Sequence, residues 1–462
     1  MKKQIALLMA GVMAAASLTA CGGGSKDAGA TTQAAGATTQ AAGSEAATTA
    51  AGSQAAAPEG SDVKMTVSWW GNQTRNERTQ AILDLYSEQN PGVTFDGQFA
   101  EWADYWNKLA TASAGHALPD IVQMDYKYLE QYVSNNLLVD LTPYIESGVL
   151  DTSNVDEGIL NSGKVGDGIY AICIGINSPA LLYNKTLLDE AGITVKDNMT
   201  KDEFIDLCRE VHEKTGYKTN IAYNNGDNLI EYTMRSNGEV LFEKDKLGVA
   251  GPESLEAFFD YYEIGMKEGW HVDPSIFAER TIGSVEQEPL VYGTSPDNMS
   301  WCAFYYSNQL TAMQNAAPEG VEIGMTTWPS PDPVKSNYLK PSQFFSVTVD
   351  SKNPEAAAKF LDFVTNSVDC NNILLGERGV PISSEVAGAI ASQMPKEDQE
   401  VIRYINEVVT PNSSTINPPA PDGASEVYDL IDKLEERLCY GEIDAKQAAQ
   451  ELFDQGNKIM AQ

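Results

Sequence analysis

Val63, Met65, Val67 and Trp69 are apolar, with Lys64, Thr66 and Ser68 between them. This period of two predicts a strand with one buried face. A helical period takes over from about Thr74 to Gln89, with Ile82, Leu85, Tyr86 and Gln89 on one side, and Asn90-Pro91-Gly92 supplies the turn that stops it. The alternation then repeats. Val93 to Phe99 reads as a strand, Trp102 to Ala114 as a helix, Asp120 to Met124 as a third strand entered through Leu118-Pro119, and Tyr126 to Asn135 as a third helix. Strands alternating with helices predict an α/β fold built on a parallel sheet. Ligands of such sheets sit beyond the carboxyl ends of the strands, which singles out Trp70 to Arg75, Glu101-Trp102 and Asp125-Tyr126.

Farther along, Thr200 and Glu203 have the spacing of a capping box opening a helix that ends near Gly216. Pro252 to Gly269 predicts a second long helix. Asn353-Pro354 has the N-cap and first-turn signature for a helix over Glu355 to Thr365. Ser425 to Tyr440 and Asp444 to Ile459 predict a helical end, preceded by a Pro-, Asn- and Ser-rich loop from Pro411 to Gly423.

The first sixty residues follow other rules. Lys2 and Lys3, the apolar run Ile5 to Leu18 and the small residues before Cys21 form a secretory signal too short to span a bilayer. Leu18-Thr19-Ala20-Cys21 resembles a bacterial lipobox, which implies cleavage after residue 20 and diacylation of Cys21. From Gly22 to Ser61 the chain is almost wholly Ala, Thr, Gly, Ser and Gln, with Gly29–Ala35 nearly repeated as Gly36–Ala42. Such a segment has nothing to bury and predicts a disordered tether averaging roughly 35 Å end to end. Two acyl chains hold a protein firmly where one holds it marginally. About 400 residues remain, enough for two lobes with their own cores.

Charge narrows the partners. The chain carries 31 Lys and Arg against 65 Asp and Glu, a net −34 that deepens once Lys2 and Lys3 leave with the signal. Nucleic-acid binding rests on cationic neutralisation of phosphates, so nucleic acid is excluded as a partner, as is docking on anionic lipid. His116, His212 and His271 are scattered without metal-ligand spacing, so neither a metal nor another cofactor is expected. Five cysteines follow Cys21, with no CxxC spacing; Cys208 lies on the apolar stripe Phe204, Leu207, Cys208, Val211, as a small buried hydrophobe would. Gly158 to Lys164 matches most of a phosphate-binding loop, but Val165 stands where a magnesium-binding hydroxyl is needed. No nucleophile elbow or HExxH motif occurs, and nothing in the chain requires covalent catalysis. The aromatic residues are more informative. Flat rings pack on the apolar faces of sugars, and Trp70 and Trp102, at loop positions beside Gly71-Asn72-Gln73 and Glu101, are placed for that. Trp106, mid-helix beside Leu109, is expected in the core.

Four stretches carry a family resemblance: Glu88-Gln-Asn-Pro-Gly-Val93, Leu118-Pro-Asp-Ile-Val-Gln-Met-Asp125, Tyr170 to Lys185, and Asn353-Pro-Glu-Ala-Ala-Ala-Lys-Phe360 with Gly379-Val-Pro381. In this order they resemble family 1 of the bacterial extracellular solute-binding proteins, the carbohydrate receptors of ABC importers that include the maltose-binding protein. Trp69 to Arg75, Trp102 to Trp106, Tyr306-Ser-Asn-Gln309 and Glu377 to Pro381 are similar to a branch tied to uptake of pectin, notably rhamnogalacturonan, fragments. Cys173 departs from the pattern by replacing a common proline.

The resemblance implies a two-lobed periplasmic-binding-protein-like fold of type II, with 62–176 and 345–385 in the first lobe and 177–344 and 386–462 in the second. Crossings are expected near Gly175–Ser178, near Gln343–Phe345 and after Pro381. It implies an oligosaccharide in the cleft, a closed form that docks on two permease subunits with a cytoplasmic ATPase, and a monomer. Trp70, Trp102, Phe304 and Tyr306 are the expected stacking rings. Gln73, Asp125, Asn177, Asn308 and Gln343 are expected to bond hydroxyls, and Arg75 and Arg378 to take any carboxylate. A lipid-anchored polysaccharide-degrading enzyme and a surface polysaccharide adhesin are the competing classes.

Overall fold

The computed structural model describes residues 62–71, 73–421 and 423–461; the signal, Cys21 and the tether lie outside the described residues. The alternation of the N-terminal third becomes β1 (Val63–Trp70), α1 (Gln73–Gln89), β2 (Val93–Ala100), α2 (Trp102–Ala114), β3 (Ile121–Met124) and α3 (Tyr126–Ser134). β1 runs parallel to β2 from Val63↔Val93 to Trp70↔Ala100, and parallel to β3 through Val67↔Ile121.

The sheet is then completed from far along the chain. β4 (Ile172–Asn177) leads directly into β5 (Pro179–Asn184), which belongs to a different sheet. After α4 (Lys201–Thr215), α5 (Asp227–Arg235) and α6 (Glu253–Glu268) come β6 (Cys302–Tyr306), β7 (Ile323–Thr326) and β8 (Lys340–Val347). The first lobe is the five-stranded sheet β2-β1-β3-β8-β4, and the second is the three-stranded sheet β6-β5-β7. β8 is antiparallel to both neighbours, so only β1 to β3 form the parallel sheet that the pattern predicts. The second sheet is wholly antiparallel. α7 (Pro354–Asn366), α8 (Ser384–Ala391) and α9 (Lys396–Arg403) follow, then α10 (Ala424–Cys439) and α11 (Ala445–Met460).

Local signals fix the helix ends. Thr200 Oγ1 accepts from Glu203 N while Glu203 Oε2 accepts from Thr200 N, which completes the capping box, and Gly216 ends α4 with a left-handed φ of 77°. Pro354 stands in the first turn of α7, but Asn353 makes no side-chain cap. At the loop that resembles a phosphate site, Asp156 Oδ1 already accepts from Gly158 N and Ile159 N, so a carboxylate occupies the donors an anion would use.

Each lobe has its own core. Trp69, Ile82, Tyr105, Phe344, Phe345 and Phe360 centre the first; Phe204, Phe258, Tyr261, Trp270, Trp301 and Ile431 centre the second. α8, α9 and the π-helical stretch Tyr404–Val409 join the first core together with Ala180, Leu182, Leu310 and Met313, so this segment ties the first core to residues of β5 and its neighbours. Cys173, Cys208, Cys302, Cys370 and Cys439 are all buried free thiols. Among the described residues no helix is long and apolar enough to cross a membrane.

Candidate ligand-binding cleft

Two strands carry the chain between lobes side by side. Ser178, between β4 and β5, donates from its hydroxyl to Tyr338 O at 3.1 Å, and its backbone O accepts from Ser307 N at 2.8 Å. Tyr404 Oη donates to Pro179 O at 2.6 Å. Lys340, at the start of β8, pairs across the ladder with Asn177 at the end of β4. The register then slips between Pro341 and Gln343, a bulge that turns Ser342 Oγ onto Gly175 O at 2.7 Å and onto Arg378 O. A Cβ on Gly175 would lie 2.0 Å from Arg378 O, so only glycine lets the loop holding Glu377, Arg378 and Gly379 approach the floor.

Above this floor lies a cavity of about 880 Å³, within the range of small-molecule sites. It is lined from the first lobe by Trp70, Arg75, Trp102, Asp125 and Tyr126, from the floor by Asn177, Lys340 and Gln343, and from the second lobe by Asn308 and Tyr428. The loop carrying Ile416, Pro419, Ala420 and Pro421 closes one side.

Eight of the eleven residues expected from sequence border this cavity: Trp70, Arg75, Trp102, Asp125, Asn177, Asn308, Gln343 and Arg378. Their states differ. Trp102 is 42 % exposed, and its ring stands edge-on to Trp70 at 4.9 Å and to Trp106 at 5.5 Å, which fixes its orientation while leaving surface open. Trp70 is itself 9 % exposed and packs on Tyr105, so it supports the site more than it presents to it. Asp125 caps α3 by accepting from Lys127 N at 2.9 Å. Asn308 is exposed at the second-lobe rim. Asn177 Oδ1 is buried without a hydrogen-bond partner among the described residues. An unpaired buried acceptor is costly, and here it belongs to a residue that lines the cavity.

Both arginines are engaged within the first lobe. Arg75 Nε donates to the two Glu377 carboxylate oxygens at 2.9 and 3.2 Å. Arg378, 2 % exposed, donates to Gln123 Oε1 at 2.5 Å and Thr79 Oγ1 at 2.6 Å, and burial lowers its pKa to about 9, with Arg75 adding to the fall. The clamp expected of Arg378 is therefore corrected to a structural anchor that holds the Glu377–Gly379 loop. Gln343 shares the network: its Nε2 donates to Arg378 O at 3.3 Å and its Oε1 accepts from Gln123 Nε2 at 3.2 Å.

Three expected residues lie elsewhere. Phe304 is 5 % exposed and packs edge-on against Phe204 in the second core, because β6 turns that face inward; the stacking role is corrected to core packing. Gln73 is exposed on the first turn of α1 and donates to Glu77 Oε1 at 2.7 Å instead. Tyr306 stands behind the lining, its hydroxyl donating to Asn228 Oδ1 at 2.8 Å and lying 3.1 Å from Tyr338 Oη. Its ring supports Lys340, whose Nζ is 4.3 Å from the ring centroid. Trp106 packs against Tyr128 at 4.2 Å, as its helical position predicts.

The sequence reading singled out Tyr126 by its strand-end position without giving it a role, and it missed Lys340 and Tyr428. Only the ladder register, which pairs Lys340 with Asn177, brings this lysine to the floor.

Residues 70–368 match the model of the family described as bacterial extracellular solute-binding protein, about two thirds of the chain. The chain belongs to this family. Among curated relatives, the lactose-binding protein of Rhizobium radiobacter is 29 % identical over 204 residues, covering 42 % of this solute-binding protein and 47 % of its own length. The match thus spans about half of that relative. A family 1 extracellular solute-binding protein from Alicyclobacillus acidocaldarius superposes with a TM-score of 0.79 at 23 % identity, over 87 % of this chain and 99 % of that one. A periplasmic oligogalacturonide-binding protein of Yersinia enterocolitica gives 0.69 at 20 % identity, over 86 % and 99 %. These likenesses establish the two-lobed type II periplasmic-binding fold.

Proposed function

We propose that this solute-binding protein captures an oligosaccharide between its lobes and delivers it to an ABC importer of two permease subunits with a cytoplasmic ATPase. The carrying observation is the cavity at the lobe crossing, lined both by an open, braced Trp102 ring and by Asn177 with its unpaired acceptor. An apolar plate and a hydroxyl-seeking oxygen suit the two faces of a sugar. The strands at Ser178 and Lys340 are the hinge, and closure follows from contacts a ligand makes only with the lobes together. Diacylated Cys21 anchors the monomer to the outer face of the cell membrane, with the tether giving it reach.

The narrower reading is an acidic pectin fragment. The name of the Yersinia neighbour supports it, as does Lys340 at the cleft floor. A calorimetric screen against neutral and acidic oligosaccharides tests the function, with the recovered sugar analysed for cleavage and small-angle scattering recorded with and without ligand. A receptor binds one class, returns it uncut and compacts. Cleaved sugar would instead identify an enzyme, and binding of long polymer without compaction an adhesin.

A further inference from the structure

The Lys340 ammonium has no ion pair and donates no hydrogen bond among the described residues. Its ammonium is held over the Tyr306 ring at 4.3 Å, and that ring is itself fixed through Asn228 and Tyr338. Three N–H donors are thus left for solvent or ligand. Asp125 and Asp227 act on the ammonium from either wall and favour its charged form, while the surrounding protein lowers its pKa.

Directly across the antiparallel ladder stands Asn177. Residues opposite each other in such a ladder project on one face with Cβ atoms about 5 Å apart. The cleft floor therefore carries an unpaired cationic donor beside an unpaired, buried neutral acceptor, both lining the same cavity. Of the other basic groups lining the cavity, Arg75 lies on Glu377 and Arg378 lies inside the lobe, while Lys127 is exposed on the first turn of α3, its ammonium 5.7 Å from the Tyr128 ring and away from the floor strands.

From this juxtaposition we infer that Lys340 and Asn177 form the specificity element of the cleft, Lys340 receiving a sugar carboxylate and Asn177 Oδ1 accepting from a neighbouring hydroxyl. The assignment rests on the receptor reading above and moves acid recognition from the arginines to the hinge floor. A uronate residue presents both groups on one ring, at a separation that adjacent ladder positions can span. The carboxylate needs the donor, and the hydroxyl proton fills the acceptor that the fold leaves empty. Because the pair sits on the two crossing strands, its occupant would also bridge the hinge.

The test uses trigalacturonate and its fully methyl-esterified, neutral counterpart, titrated calorimetrically into the full soluble protein and three variants. Wild type is expected to prefer the acid. Lys340→Gln should weaken acid binding roughly 10- to 100-fold, the size of a hydrogen bond to a charged group, and leave the ester unchanged. Lys340→Arg should restore most of the loss. Asn177→Ala should weaken acid and ester alike, since both keep the hydroxyl, and melting curves check that each variant folds. Equal wild-type affinity for acid and ester would overturn the assignment while leaving the receptor reading standing. So would equal loss of both ligands in Lys340→Gln, or binding only of some unrelated neutral oligosaccharide. Binding of no carbohydrate at all would remove both readings.

Discussion

The two lobes close on one cavity but are built from different materials. In the first lobe the wall is a set of rings, Trp70, Trp102, Trp106 and Tyr128, braced in edge-on and tilted contacts, and the buried charged side chain among the described residues of that lobe is Arg378. In the second, Arg235, His271, Glu288 and Glu435 are all buried, and hydroxyls link the wall: Tyr428 to Glu231, Tyr306 to Asn228, Tyr232 to Asn337. Ring packing therefore dominates the first wall, with the Arg75–Glu377 pair and the Arg378 network confined to the loop at its edge. Hydrogen bonds and buried ionisable groups fix the second, so its stability responds to pH. A receptor made this way presents a rigid plate opposite an adjustable polar surface.

The comparison is broken most severely by exchanging the roles of two aromatic side chains. Phe304→Ala opens a hole beside Phe204 and Trp328 in the second core and is expected to cost about 3–5 kcal/mol of unfolding free energy. Ligand affinity in the fraction that remains folded should be unchanged. Denaturant unfolding and calorimetry read the two quantities separately, and a loss of affinity without a loss of stability would return Phe304 to the site.

Next in size is Arg378→Met. The substitution keeps much of the volume but strips the donors from Gln123 Oε1 and Thr79 Oγ1, two buried groups that nothing else replaces, for about 3 kcal/mol. If Arg378 were a ligand clamp instead, the variant would keep its stability and lose affinity for acidic sugars selectively.

These two residues also show what could be read from sequence. The order of elements through Ser134 was legible because each has an uninterrupted period and a stop signal such as Asn90-Pro91-Gly92. The capping box at Thr200 was legible because capping is local. The antiparallel β8 was not, because its partners β3 and β4 lie more than 150 residues away and no local pattern encodes them. The cleft was legible where it follows strand ends, as at Trp70, Trp102 and Asp125. It was illegible where one residue's direction decides. Phe304 and Tyr306 lie on the same strand, two apart, yet one fills the core and the other stands behind the floor. Arg378 and Arg75 look alike as cations until their partners are seen.

A smaller effect tests the plate itself. Trp102→Ala removes an exposed ring and should leave unfolding nearly unaffected while weakening the ligand by about 2 kcal/mol, roughly 30-fold, as a central aromatic contact does. Calorimetry with whichever oligosaccharide the screen selects provides the measurement. Unchanged affinity would mean that the rings only shape the lobe.

The smallest effect expected is in pH dependence, and it belongs to the second lobe. His271 Nε2 accepts from Ile221 N at 3.3 Å, so Nδ1 carries the proton and donates to Val272 O at 2.8 Å. A second ring proton would face an N–H, and burial accordingly lowers this pKa to about 4. Between the unfolded value near 6.5 and about 4, the unfolded chain takes up a proton that the fold refuses, so stability falls as pH falls through that window. Glu288 has the opposite sign. Burial raises it to about 6, against donations from Asn220 and Tyr305, so the fold binds a proton first and gains stability as pH falls from about 6 towards the unfolded value. The two slopes partly cancel, leaving about 1 kcal/mol between them, and the carboxyls of Asp227, Glu231, Asp432 and Glu435, which burial also raises, act with the sign of Glu288. Each substitution removes one contribution from this sum. His271→Gln should flatten or reverse the acid loss, and Glu288→Gln should steepen it, in urea unfolding followed at pH 7, 5.5 and 4.5. Slopes that move in the same direction in both variants would mean that the acid response arises elsewhere, and the contrast between the lobes would lose its electrostatic half.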